Sequence, residues 1–86
     1  MTNYLVEGYF PRSRAGELTG LIAGLRAAAD ELTAEGVRVR HVRSSFLPAD
    51  ELFLHLIEAE SAEAAGQLTK RAGIAPERIA EAVQVQ

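Results

Sequence analysis

Residues 37–58 read VRVRHVRSSFLPADELFLHLIE, and this stretch decides the fold. Its two ends, 37–46 and 51–58, are rich in β-branched, aromatic and leucine residues, whereas the four residues between them, LPAD, include a proline and an aspartate. Two β-forming runs separated by a short turn sequence predict a β-hairpin of two antiparallel strands. The rest of the chain has to pack around this hairpin.

The segment before the hairpin predicts a strand followed by a helix. The strand is 3–10, NYLVEGYF, which is rich in β-formers and ends before Pro11. Ser13 is a candidate N-cap of the helix, and Gly36 is a candidate end because glycine accepts the left-handed backbone there. Apolar residues between them recur at the i, i+3, i+4, i+7 spacing of a helix with one buried stripe: Leu18, Leu21, Ile22, Leu25, Ala29 and Leu32.

The segment after the hairpin predicts a second helix and a last strand. Ser61 is a candidate N-cap for a helix that continues to about Arg71, and Gly73 is a candidate end. Pro76 suits the first position of a short helical turn in the sequence PERIAEA. The tail 82–86, AVQVQ, predicts a short final strand.

The predicted element order is therefore β-α-β-β-α-β. Two right-handed βαβ crossovers around a central hairpin favour a ferredoxin-like α+β fold, in which two helices cover one face of a four-stranded antiparallel sheet. The first and third strands lie in the middle of this sheet, and the second and fourth lie at its edges. A length of 86 residues allows one such domain over 1–86.

The third predicted strand is apolar on both faces, and its alternating residues are Leu52, Leu54 and Leu56 against Phe53, His55 and Ile57. A sheet with one face in water alternates apolar and polar residues more cleanly. We therefore expect a second copy of the chain to cover the open face, in a homodimer packed sheet to sheet. If the leucines face the helices, His55 lies on the open face, where we also place Glu7 and Tyr9.

Composition narrows the classes of function. The chain has no cysteine, which excludes disulfides, thiolate metal sites and thiol catalysis. A formal net charge of −3 argues against general nucleic-acid binding. No apolar run approaches the roughly 20 residues that span a membrane, and the first residues lack a secretory pattern, so we expect a cytoplasmic protein with no membrane partner.

The residues that could carry chemistry are few. Imidazole nitrogens and a carboxylate suit divalent transition metals such as nickel, so Glu7, His41 and His55 are candidate metal ligands, although the sequence leaves open which face His41 occupies. The expected function is a small-ligand or metal-ion binding protein whose site lies at the open sheet face of the dimer. Apart from such a metal ion, no cofactor is expected.

Two alternatives remain open. Glu7, Tyr9 and His55 around a hydrophobic cavity are candidate catalytic residues of a cofactor-free isomerase, cyclase or oxygenase of the dimeric α+β barrel type, acting on a hydrophobic substrate. In the other alternative the chain is an interaction module without a site. Glu7 then pairs with an arginine, and Tyr9 only packs.

Three segments, YLVEGYFP, GVRVRHVRSSF and LIEAESAEAAGQLTKRAGIAPERIAEAV, occur in an order that resembles a family of small actinobacterial ferredoxin-like proteins described as nickel-binding and otherwise of unknown function. The likeness covers most of the chain and is best in EAESAEA and RAGIAPERI. It implies a dimer and, in some members, a nickel ion held partly by histidine. Members often carry histidine where this chain has Gly8, tryptophan at His41 and cysteine at His55, so a site here would use different ligands.

Overall fold

The computed structural model describes residues 1–85 as one four-stranded sheet with helices on one face. Its elements are β1 (Thr2–Tyr9), a 3-10 turn (Arg12–Glu17), α1 (Leu18–Ala34), β2 (Val39–Leu47), β3 (Leu52–Ala59), α2 (Ala62–Arg71) and β4 (Arg78–Ala82). The strand order is β2-β3-β1-β4, and each neighbouring pair is antiparallel. The predicted ferredoxin-like α+β fold is confirmed. Among these residues no helix combines the length and the apolar character needed to cross a membrane.

Three of the predicted helix signals act as expected. The hydroxyl of Ser61 accepts a hydrogen bond from the Ala64 amide at 3.1 Å and caps α2. Gly36 and Gly73 follow α1 and α2 with φ angles of 93° and 75°, which are left-handed values that glycine adopts without strain.

The start of the first helix differs from the prediction. Ser13 caps no helix, because it lies inside the 3-10 turn that follows Pro11, and α1 begins only at Leu18. Arg14 has φ and ψ of −107° and 18°, which interrupts the helical backbone within this turn. Neither the turn nor α1 has a side-chain cap at its N-terminus.

The C-terminal prediction was wrong in its details. The sequence PERIAEA forms no helical turn, because Arg78–Ala82 pairs with β1 as the edge strand β4. Pairing with the exposed edge of β1 satisfies backbone groups that a lone helical turn would leave to water. The predicted strand 82–86 shares only Ala82 with β4, residues 83–85 are in no regular element, and residue 86 lies outside the described residues.

The hydrophobic core lies between the helices and one face of the sheet. The stripe of α1 and the small residues of α2 pack on side chains from β1, β2 and β3. The buried members of this cluster are Val6, Leu25, Ala28, Ala29, Leu32, Val39, Ile57, Ala59, Ala64, Ala65 and Leu68.

The two faces of β3 are reversed relative to the prediction. Phe53, His55 and Ile57 are buried beneath the helices, whereas Leu52, Leu54 and Leu56 are half-buried on the open face. Both sets are apolar, so alternation alone could not say which set the helices cover.

Candidate functional site

Four polar side chains lie in line between α1 and the sheet. Nε of Arg26 is 3.3 Å from Nδ1 of His41, and Nε2 of His41 is 2.8 Å from Oγ of Ser44. The same hydroxyl is 2.6 Å from Nδ1 of His55. The two histidines, which lie on different strands, are thus joined through one serine. We call these four residues the polar chain: Arg26, His41, Ser44 and His55.

A β-bulge in β2 makes the polar chain possible. Residues three apart in a regular strand point to opposite faces of the sheet. The register of β2 with β3 shifts between His41 and Arg43, so Val42 is an extra residue on β2. The side chain of Ser44 therefore lies on the same face of the sheet as His41, and Ser44 pairs directly with His55 on β3.

Burial keeps both imidazoles of the polar chain neutral at pH 7. His55 is 2% exposed and His41 is 8% exposed. Burial, together with the neighbouring His41, lowers the pKa of His55 from 6.5 to about 4. Burial and the positive charge of Arg26 also lower the pKa of His41.

A cavity of about 250 Å³ opens beside His55, at the end of the sheet where β1 ends and β3 begins. Its lining is mostly apolar and consists of Gly8, Tyr9, Phe10, Arg14, Leu21, Phe53, His55, Gly73, Ile74 and Ala75. Within residues 1–85 no carboxylate lines it. Ligand pockets have this character, with a few polar groups set among hydrophobic and aromatic side chains.

Gly8 leaves the space that this cavity occupies. It is buried in β1 on the helix-covered face and pairs with Phe53 on β3. A side-chain carbon placed on Gly8 would meet one heavy atom within 4 Å beyond its own chain neighbours, the carbonyl oxygen of Ala75 at 3.8 Å. A side-chain carbon here would thus make one ordinary contact in otherwise open space, so the missing side chain accounts for part of the cavity.

Aromatic and cationic groups shape the rest of the cavity. The rings of Phe53 and His55 are 4.3 Å apart between centroids, and Phe10 and Phe53 meet edge to face at 5.9 Å. The guanidinium of Arg14 lies 5.0 Å from the centre of the Phe10 ring. Two nitrogens of Arg14 also donate to the carboxylate of Glu17 at 2.7 Å, so much of its charge is balanced.

The second nitrogen of His55 opens into the cavity. Nε2 makes no hydrogen bond with residues 1–85, since the imidazole bonds Ser44 through Nδ1 only. Every fully buried side-chain nitrogen and oxygen of these residues has a hydrogen-bond partner. Nε2 therefore keeps accessible surface, and the accessible space next to this ring is the cavity.

The predicted site residues do not come together as one set. Glu7 and Tyr9 lie on the open face, as expected, where Glu7 pairs with Leu54 across the sheet. His41 and His55 are both beneath the helices, so the placement of His55 beside Glu7 was wrong. In residues 1–85 no group of three or more histidine, aspartate or glutamate side chains is arranged to hold a metal ion.

Two other hollows are less suited to specific binding. One, of about 480 Å³, lies at the opposite end of the sheet and includes the exposed ion pair of Glu35 and Arg71, but no histidine. A depression of about 240 Å³ lies on the open face, where Leu5, Leu54 and Leu56 form its apolar part. No residue of the polar chain lines either hollow.

Sequence reasoning missed three residues that shape the site. Ser44 and Arg26 carry no signal of their own, because serine and arginine are ordinary on an edge strand and on the wet side of a helix. Gly8 did carry a signal, since an isolated glycine within a strand often marks a bulge or a close approach of another group.

Comparison with known proteins supports the fold. No family model and no curated protein matches the chain. Among solved structures, the crystal structure of SCO4226 from Streptomyces coelicolor A3(2) is similar, with a TM-score of 0.79 and 21% sequence identity. The match covers 98% of this chain and 99% of that one. Identity this low shows a shared fold and nothing of shared chemistry.

Proposed function

We propose that the protein binds a small, largely apolar organic molecule in the cavity between the sheet and the helices. The observation that carries this proposal is Nε2 of His55, which makes no hydrogen bond with residues 1–85 and adjoins a cavity that Phe10, Phe53 and Ile74 line with apolar surface. This nitrogen keeps accessible surface, so a ligand can bond it and gain affinity and orientation. The site is thus moved from the open face, where we expected it, to the helix-covered face.

Binding is favoured over catalysis by the groups that line the cavity. A cofactor-free isomerase or cyclase needs a base to remove a proton from its substrate. Within residues 1–85 the cavity contains no carboxylate. Burial lowers the pKa of His55 to about 4, which makes it a weak base, so its position suits a hydrogen bond to a ligand better than removal of a proton. An enzyme acting through His55 is the alternative, with a neutral imidazole polarising a substrate carbonyl.

The nickel site implied by the resemblance does not fit the residues present. Both nitrogens of His41 are engaged, by Arg26 and by Ser44, and His55 offers one free nitrogen. Glu7 lies on the other face of the sheet. We therefore expect native mass spectrometry with and without Ni²⁺ and Zn²⁺ to show no stoichiometric metal ion on the protein, and a bound ion would support the nickel alternative.

We also propose that a second copy of this chain covers the open face. The stripe formed by Leu5, Leu54 and Leu56 is half-buried within one chain and has no element of residues 1–85 above it. Glu7 and Arg78 lie opposite each other on β1 and β4 beside this stripe. The face therefore carries a negative and a positive side chain, which can pair with the opposite charges of a second copy. An interaction module without a ligand site would keep this interface and bind nothing in the cavity. A cytoplasmic location stays a prediction.

The test is a ligand-observed NMR screen of small aromatic and aliphatic compounds, repeated on Gly8→Val. Valine suits a strand and fills the space above Phe53, so this variant should fold and lose the bound compounds. The control is Gly16→Val, which lies in the exposed 3-10 turn and does not line the cavity. Compounds that bind Gly8→Val and the natural chain equally would place binding elsewhere and refute the proposal.

A further inference from the structure

We propose that Arg26 sets the direction of every hydrogen bond in the polar chain, so that His55 presents an Nε2–H donor to the cavity and selects ligands with an acceptor oxygen. This inference rests on the proposed function and names the class of ligand for it. Arg26 acts here as a positioning residue, because it lies on the far side of His41 from the cavity and reaches the ligand through three other side chains.

The direction begins at the guanidinium, which has N–H donors and no acceptor. Nε of Arg26 therefore donates to Nδ1 of His41, which must be unprotonated. A neutral imidazole carries one N–H, so the proton of His41 is on Nε2 and is donated to Oγ of Ser44.

The hydrogen bond between Ser44 and His55 has the same donor-to-acceptor direction. The Ser44 oxygen accepts from His41, so its own O–H is free to donate to Nδ1 of His55. Nδ1 of His55 is then unprotonated, and the single proton of this neutral ring is on Nε2, where it faces the cavity. The reverse direction would put an Nδ1–H of His41 against the N–H of Arg26, which is a contact between two donors.

The cavity that receives this donor favours an acceptor in its ligand. Arg14 at its edge is also a donor, and no carboxylate lines the cavity within residues 1–85. Phe10, Phe53 and Ile74 supply apolar surface for the rest of the molecule. The chemistry that fits is a carbonyl or carboxylate oxygen attached to a small aromatic or aliphatic body.

The donor-to-acceptor direction of these hydrogen bonds can be measured in the ligand-free protein. Long-range ¹H–¹⁵N correlation spectra of the ¹⁵N-labelled protein at pH 7 distinguish the two neutral tautomers of each histidine. We expect His55 to carry its proton on Nε2, and Arg26→Met to turn this single form into a mixture. Arg38→Met, which changes an exposed arginine with no side-chain contact to the polar chain, is the control and should leave the spectra unchanged. Protonation of His55 on Nδ1, or no change in Arg26→Met, would overturn the proposal.

The ligand class is tested with two probes of nearly equal shape. Acetophenone carries a carbonyl oxygen, and α-methylstyrene carries a methylene group in its place. One hydrogen bond predicts that the chain binds acetophenone roughly 3- to 10-fold more tightly, and that Arg26→Met reduces this ratio. Equal affinities would overturn the ligand selection. Binding of neither probe, with the Nε2 tautomer intact, would count against the proposed function and leave the direction of the hydrogen bonds standing.

Discussion

The hydroxyl of Ser44 lies 2.6 Å from Nδ1 of His55, and the two residues pair directly across β2 and β3. This contact is the single hydrogen bond that the imidazole of His55 makes with residues 1–85. Because the same hydroxyl also bonds Nε2 of His41, one small side chain satisfies a nitrogen of each imidazole. The buried histidines therefore depend on Ser44 for stability and for orientation.

Ser44→Ala should destabilise the protein by about 1–3 kcal/mol, because it leaves polar nitrogens of two buried rings without a partner. The control is Ser13→Ala, whose side chain is exposed in the 3-10 turn and caps no helix, and which should change the free energy of unfolding by less than about 0.5 kcal/mol. Urea unfolding at pH 7 measures both. Equal midpoints for the two variants would mean that water replaces Ser44 without cost.

The sequence predicts elements with local signals and misses geometry that depends on pairing. Ser61 and Gly36 act through contacts within a few residues, so their roles could be recognised without the fold. The bulge at Val42 results from pairing between β2 and β3, and no local signal reveals it. The prediction of which sheet face His55 occupies was wrong for another reason. Both faces of β3 are apolar, and a shift of one residue exchanges them.

Acid should destabilise the protein through His55. Its folded-state pKa of about 4 lies below the ordinary 6.5, so the unfolded chain binds the proton more readily. The contribution of neutral His55 to the free energy of unfolding is therefore fully present above pH 6.5. It is lost as the pH decreases from 6.5 towards 4, by about 3 kcal/mol over the whole range. The pKa of His41 is lowered too and acts in the same direction.

Urea unfolding of the natural chain at pH 7, 6, 5 and 4.5 measures this loss, and His55→Gln should remove most of it. The exposed Glu17 and Glu35 have pKa values lowered by their arginine partners, so they reduce stability only below about pH 4.5. An unfolding free energy that stays constant from pH 6.5 to 4.5 would show that His55 is charged in the folded protein.

Alanine at Gly20 and Gly24 should stabilise α1. Both glycines are exposed inside this helix, and an added side-chain carbon would meet no heavy atom within 4 Å. Glycine in a helix interior costs about 1 kcal/mol relative to alanine, so each substitution should raise the unfolding free energy by roughly 0.5–1 kcal/mol. Gly36→Ala is the opposite control, because its φ of 93° strains any side chain. Thermal unfolding orders the three variants, and loss of stability in Gly20→Ala would reveal a contact made by a partner.

A charge on the open face should separate the proposed dimer. Leu54 lies in the middle of the leucine stripe on β3, and it is half-buried in one chain while nothing within residues 1–85 covers that face. In a sheet-to-sheet dimer, Leu54→Glu would bury a carboxylate against apolar side chains, and an unpaired buried charge costs far more than the leucine contributes. We therefore expect sedimentation velocity to give a dimer for the natural chain and a monomer for Leu54→Glu.

Ala27→Glu is the control for this experiment, because it adds the same charge to the exposed side of α1 and should remain a dimer. Unchanged far-ultraviolet circular dichroism of Leu54→Glu would show that the variant still folds. A natural chain that sediments as a monomer, or a dimer that survives Leu54→Glu, would exclude the open face as the contact. The cavity beside His55 would stand in either case, because every residue that lines it comes from one chain.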